Sequence, residues 1–146
     1  MASDRIQGLV EVTREEATLM LEAGYVYMDM GKFKEAREVF TGAAALFPKS
    51  EVPHLALGTL EFSQGRHDKA LQAYRAAQRV APKAGVPRAH CGEALLFLGK
   101  VAEADRELKA AIDLDPDGDG GRLARALLEA KEEGALPPKK KSLRKK

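Results

Sequence analysis

Side chains with reactive chemistry are few in this sequence, and they gather in three places. The first is the run His90-Cys91-Gly92-Glu93. Neighbours on a helix diverge by about 100°, so His90 and Cys91 cannot work as a base and nucleophile on one face. His90 and Glu93, three apart, do share a face. A metal there needs a third and a fourth ligand, and the sequence offers none in register. The run therefore predicts a hydrogen-bonded polar pair, a buried inert thiol at Cys91, no catalytic residue, no metal and no cofactor.

The second place is Asp115-Pro116-Asp117-Gly118-Asp119-Gly120. Alternating acids with glycine open calcium loops, but the bidentate Glu that such a loop needs at its twelfth position is here Ala126. A polar turn between helices accounts for the acids with less. Gly118, Gly120 and Gly121 do not follow a strand, so a nucleotide-binding turn has no context. The third place is the end of the chain, where Lys139 to Lys146 carry six positive charges. Taking those six from 24 basic residues leaves 18 against 22 acidic ones, so the rest of the chain is net −4. Basicity belongs to the tail alone. The tail has no interleaved aromatics and one apolar residue, Leu143, which predicts a solvated disordered segment and no specific nucleic-acid partner.

Composition narrows the class further. The chain has 146 residues, 45% of them apolar and 32% charged, which suits one soluble globular domain. No apolar run approaches the ~20 residues of a membrane helix, and the start shows no secretory signal, so a cytoplasmic protein is expected. A single cysteine excludes an internal disulfide framework.

What positions these residues is a repeat. Gly24, Gly58 and Gly92 are spaced by 34, as are Gly31, Gly65 and Gly99. Three further series keep the same period: Ala36, Ala70 and Ala104; Ala43, Ala77 and Ala111; Pro48, Pro82 and Pro116. Phe40, Tyr74 and Leu108 hold one bulky apolar position. Within a copy, Met20, Ala23, Gly24 and Tyr27 recur at helical spacing. Gly31 ends that helix, and Pro48 stops the next one, which runs from Lys32 to Leu46. Further pairs are predicted over 52–64 and 67–81, then 87–98 and 101–114. A last helix, Arg122 to Glu133, carries Leu123, Ala126, Leu127 and Ala130 on one face and caps the array.

The 34-residue Gly/Ala/aromatic/Ala/Pro pattern resembles the tetratricopeptide repeat, a helix–turn–helix unit. That resemblance implies an all-α right-handed superhelical stack of three repeats over 17–50, 51–84 and 85–118, with a capping helix over 119–134. An N-terminal arm or short helix over 1–16, holding Ile6, Leu9 and Val10, and a basic tail over 135–146 complete the chain. Glu61, His67 and Arg88 stand where the repeat usually has apolar or aromatic residues.

In such a stack the first helix of each pair lines an inner groove. The candidate groove residues are Leu21, Tyr25 and Met28, then Leu55, Thr59 and Phe62, then His90, Glu93, Leu96 and Phe97, with Asp29, Val52, Ser63, Val86 and Ala89 beside them. Lys, Asn and Arg, which form a carboxylate clamp in some tetratricopeptide proteins, are absent from these positions, so an apolar groove with aromatic lining is expected.

The third copy, His90-Cys91-Gly92-Glu93-Ala94-Leu95-Leu96-Phe97-Leu98-Gly99 with Glu103-Ala104, is similar to the class II chaperones of bacterial type III secretion. Gln64-Gly65, Tyr74 and Pro87-Arg88 fit the same pattern. That likeness implies a non-catalytic bacterial protein that holds an extended apolar segment of a translocator-like client, and it leaves room for a homodimer. A general tetratricopeptide scaffold is the alternative, and a nucleic-acid-associated protein acting through its tail is a third.

Overall fold

The computed structural model describes residues 12–139. The expected arm over 1–16 lies mostly outside the described residues, as does the tail beyond Lys139. The described chain is all α-helix with no strand: α1 (Arg14–Asp29), α2 (Phe33–Leu46), α3 (Val52–Ser63), α4 (His67–Val80), α5 (Gly85–Phe97), α6 (Val101–Leu114) and α7 (Asp119–Glu132). It divides into two compact units, one ending at Pro82 and the other beginning at Lys83. The first holds two helical hairpins, α1–α2 and α3–α4. The second holds the α5–α6 hairpin and α7.

The three hairpin turns are built alike because glycine recurs in each. Gly31, Gly65 and Gly99 have φ of 74°, 74° and 78°, a left-handed conformation that costs side-chain-bearing residues about 1 kcal/mol or more. In the first turn the Gly31 N–H donates to the Met28 carbonyl at 3.0 Å, and the Lys32 N–H donates to the Tyr27 carbonyl at 2.8 Å. The same two bonds recur at Gly65–Arg66 and Gly99–Lys100. Each pair satisfies the last carbonyls of one helix while turning the chain into the next.

The second recurring glycine serves packing. A Cβ on Gly24 would overlap the ring of Phe40, one on Gly58 the ring of Tyr74, and one on Gly92 the side chain of Leu108. The small residue of the first helix therefore receives the bulky residue of the second. Phe40, Tyr74 and Leu108 are fully or almost fully buried, and removing such a side chain typically costs 2–5 kcal/mol, an order-of-magnitude figure. In the first unit, Ala36, Phe40, Ala56 and Leu60 form one core cluster.

Two helices start three residues earlier than the sequence reading places them. α1 begins at Arg14, three residues earlier than expected. Thr13 and Glu16 make a reciprocal capping box: the Glu16 N–H donates to Thr13 Oγ1 at 3.2 Å, and the Thr13 N–H donates to Glu16 Oε2 at 2.8 Å. α7 begins at Asp119, three residues ahead of the Arg122 start read from the apolar spacing. Asp115 Oδ2 accepts the Gly120 N–H at 3.0 Å. Gly120 and Gly121 are buried where α7 starts against the backbones of Gly85 and Asp115. The acid–glycine run is thus a helix start that needs close backbone approach.

The three departures from the repeat are each given partners. Glu61, with its side chain only 10% exposed, accepts from Arg37 Nε at 3.0 Å and Arg37 Nη2 at 2.7 Å. Arg66 approaches its other oxygen at 3.5 Å. His67 packs edge-on to Phe62, ring centroids 4.6 Å apart. Arg88 reaches from α5 to Glu107 of α6 at 3.3 Å. In the same unit Lys131 joins α7 to Asp105 of α6, at 2.6 and 2.8 Å.

Candidate functional site

The repeat period sorts the candidate groove residues into two sets. Positions 21, 55 and 89 are equivalent across the three copies, and so are 28, 62 and 96. Leu21 and Met28 are half-buried and pack against the cluster of Ala36, Phe40, Ala56 and Leu60. Leu55 and Phe62 are likewise half-buried. Ala89 and Leu96 are fully buried. Leu96 is therefore a correction: its position turns inward, and an isobutyl group there has no accessible surface to offer a ligand.

The second set is accessible, though not fully exposed. Tyr25, Thr59 and Glu93 are equivalent positions, as are Asp29, Ser63 and Phe97; of the third series, Glu22, Ala56 and His90, Ala56 is fully buried and only Glu22 and His90 are accessible. Tyr25 is 39% exposed and rests edge-on against Phe40, centroids 5.1 Å apart. Burial of the rest of the ring raises its phenol pKa, because the phenolate would lose hydration. On α1 the exposed side chains sharing the Tyr25 side are Thr18, Glu22 and Asp29. Thr59 is half-buried and Ser63 exposed on α3.

In the second unit, His90 Nδ1 lies 3.3 Å from Glu93 Oε1, with about a quarter of each side chain exposed. Phe97 is half-buried near them in sequence. Cys91 is fully buried, on another face of α5. The surface that each unit offers is thus mixed: an aromatic edge set among hydroxyls, acids and one imidazole, less apolar than the sequence pattern suggests. The pattern marks which face a residue occupies, and the packing of adjacent helices then takes the larger apolar side chains inward.

No group of three or more His, Cys, Asp or Glu among the described residues is arranged to hold a metal ion. Of the loop acids, Asp115 caps α7, and Asp119 pairs with Arg122. Arg122 also donates to the Asp117 carbonyl at 2.9 Å. Sequence reasoning did not anticipate an open cleft of about 360 Å³ on the first unit, where Arg37, Thr41, Leu57, Glu61 and Lys69 meet. The signal was Glu61 itself, an acid at an apolar repeat position. Its partner Arg37 lies 24 residues away and shows no local pattern. No described helix is long and apolar enough to cross a membrane.

Paired helices with a shared 34-residue register, closed by the same glycine turn, define a helical-repeat protein that offers side chains for binding. Models of the tetratricopeptide repeat match residues 21–85 and 90–117, and the chain belongs to that family. No curated protein matches it in sequence. Among solved structures it is similar to the type III secretion translocator chaperone SycD of Yersinia enterocolitica, with 24% identity, a TM-score of 0.71, and 81% of this chain and 91% of that one covered. PcrH, solved in complex with the chaperone binding region of PopB, is 22% identical with a TM-score of 0.69, over 86% of this chain and 98% of PcrH. The first such repeat domain of Spaghetti (RPAP3), bound to the HSP90 peptide SRMEEVD, is 20% identical with a TM-score of 0.67, over 85% and 97% of the two chains. At these identities the likeness shows the fold.

Proposed function

We propose that this chain is a non-catalytic binding protein that holds an extended, partly apolar segment of a client protein, in the manner of a type III secretion chaperone. The observation that carries this reading is the accessible aromatic edge of Tyr25 among polar neighbours on a first-of-pair helix. Such a surface gives an apolar side chain a ring to rest on and gives an extended backbone hydroxyl and carboxylate partners. Two solved neighbours, PcrH and the Spaghetti domain, hold segments of other proteins on the same fold, which supports peptide binding as its use. The cytoplasm is the compartment this reading implies.

A second reading, a general scaffold that takes acidic C-terminal peptides, is disfavoured by one feature. The α1 side that carries Tyr25 also carries exposed Glu22 and Asp29, which repel a segment such as EEVD. The client surface should therefore prefer apolar segments with basic flanks.

Affinity capture from the source cells, followed by binding measurements on the captured segment, tests the proposal. Replacing Tyr25 by Glu should weaken binding at least about tenfold, because an aromatic anchor contributes ~2 kcal/mol or more and 1.4 kcal/mol is tenfold. Circular dichroism must show unchanged helix content. A client that binds the folded variant as tightly as the parent overturns this site. A client with an acidic C-terminus, bound tightly, establishes the scaffold reading instead.

A further inference from the structure

Among the described residues, one apolar face of α1 is left uncovered. Leu19, Val26 and Met30 are 62%, 56% and 59% exposed, and Ala23 between them is exposed as well. Their spacing of four, three and four is that of the seam in a pair of helices. The seam lies on the side of α1 opposite Leu21 and Met28, which pack against the Ala56 and Leu60 cluster. Glu15, Glu22 and Asp29, all exposed, recur every seven residues along one border of it.

The next copy shows what such a face takes. The residues equivalent to Leu19, Ala23 and Val26 are Pro53, Leu57 and Leu60 of α3. Leu60 shares a core cluster with Ala36 and Phe40 of α2, and Leu57 packs against that cluster, so the covering element there is a helix. That helix also brings the cation, Arg37, which meets the α3 acid Glu61. The acid row belongs to the first copy alone, since its equivalents are Lys49, Ala56 and Ser63, then Lys83, His90 and Phe97. An acidic border thus goes with the helix that has no hairpin before it.

We propose that this face docks one amphipathic helix of another protein, with an apolar heptad seam bordered by Lys or Arg. The seam supplies the contact area, and the acid row selects the charge of the partner. Residues beside the seam meet across it in a parallel or an antiparallel pair, so either orientation matches the acids with cations. A second copy of this chain fits poorly. α1 carries four acids and one cation, Arg14, so self-pairing leaves the acid row unmatched. The acids lie between the seam and Tyr25 around the helix, which makes this face separate from the client surface and independent of that reading.

The test uses two synthetic three-heptad peptides with Leu along the seam, one with Lys and one with Glu on both borders. Binding to the full chain is followed by fluorescence anisotropy at about 0.15 M salt, and circular dichroism checks the helix content of every variant. The Lys peptide should bind at least about tenfold more tightly than the Glu peptide, because each border contact changes sign between them. Leu19→Asn/Val26→Asn should weaken the Lys peptide at least about tenfold by removing apolar contact. Glu15→Lys/Glu22→Lys/Asp29→Lys should reverse the preference between the peptides. Tyr25→Ser, which removes the ring of the client surface, should leave the Lys peptide within about twofold. A preference that survives the charge reversal overturns the proposal, as does Lys-peptide binding that follows Tyr25→Ser instead of the seam variant. Failure of the folded parent chain to bind either peptide overturns it too. So does a dimer in sedimentation equilibrium that the seam variant dissolves, since a second copy then holds the face.

Discussion

Replacing Arg37 by Ala should cost this protein about 2 kcal/mol, and the figure follows from the Glu61 site. The Glu61 side chain is 10% exposed, and Arg37 gives one of its oxygens two hydrogen bonds at 3.0 and 2.7 Å. Opposite charges about 4 Å apart at an effective dielectric of 20 interact by ~4 kcal/mol. Arg37 is 36% exposed, so solvent screening removes roughly half of that. The remaining partner, Arg66 at 3.5 Å, keeps the loss below the 3–5 kcal/mol of a wholly orphaned buried charge, an order-of-magnitude bound. Glu61→Leu, which restores an apolar residue at a repeat position, should be neutral or stabilising. In that background Arg37→Ala should cost under about 0.5 kcal/mol, which gives a coupling near 1.5–2 kcal/mol in the double-mutant cycle. The assay is urea unfolding followed by circular dichroism, with the slope unchanged between variants. If Arg37→Ala costs as much in the Glu61→Leu background as in the parent, the ion pair is not what holds α2 to α3, and the reasoning fails.

Other expectations are checked by unfolding measurements and by hydrogen exchange. Gly58→Ala should destabilise by about 3 kcal/mol or more, because its Cβ overlaps the ring of Tyr74, whereas Gly65→Ala has open space around it and pays only for φ of 74°, about 1 kcal/mol. Asp115→Ala should cost about 1–2 kcal/mol, and hydrogen exchange should quicken first at Gly120 and the first turn of α7; uniform quickening through α6 as well would refute its role as a cap. The pKa of His54 is lowered, first by burial and then by the Arg79 charge, so the unfolded state takes up the proton more readily. Its contribution to stability is complete above the unfolded value near 6.5 and is lost as pH falls through the lowered folded value. His54→Gln should flatten the stability–pH profile in that window, and an unchanged slope would assign it to other groups.

The sequence alone determined the hairpins. A 34-residue period in glycine, alanine and proline decides where chains turn and which helix face is small, because a left-handed turn and a ring-sized gap admit few residue types. Helix bodies were legible for the same reason, and so was the burial of Cys91. Helix starts at Arg14 and Asp119 were less legible, since each depends on one side chain capping a backbone N–H: Thr13 at the first, Asp115 at the second. Only tertiary structure decided how the candidate binding residues divide. Leu21, Met28, Leu55, Phe62 and Leu96 share their helix faces with Tyr25, Thr59 and Glu93 to within a fraction of a turn. Which of them stays accessible depends on how closely neighbouring helices pack and on the size of the side chains that they bring. The partner of Glu61 was hidden for a similar reason. A charge can be neutralised from any direction in space, and a one-dimensional pattern records only the neighbours that a single helix supplies.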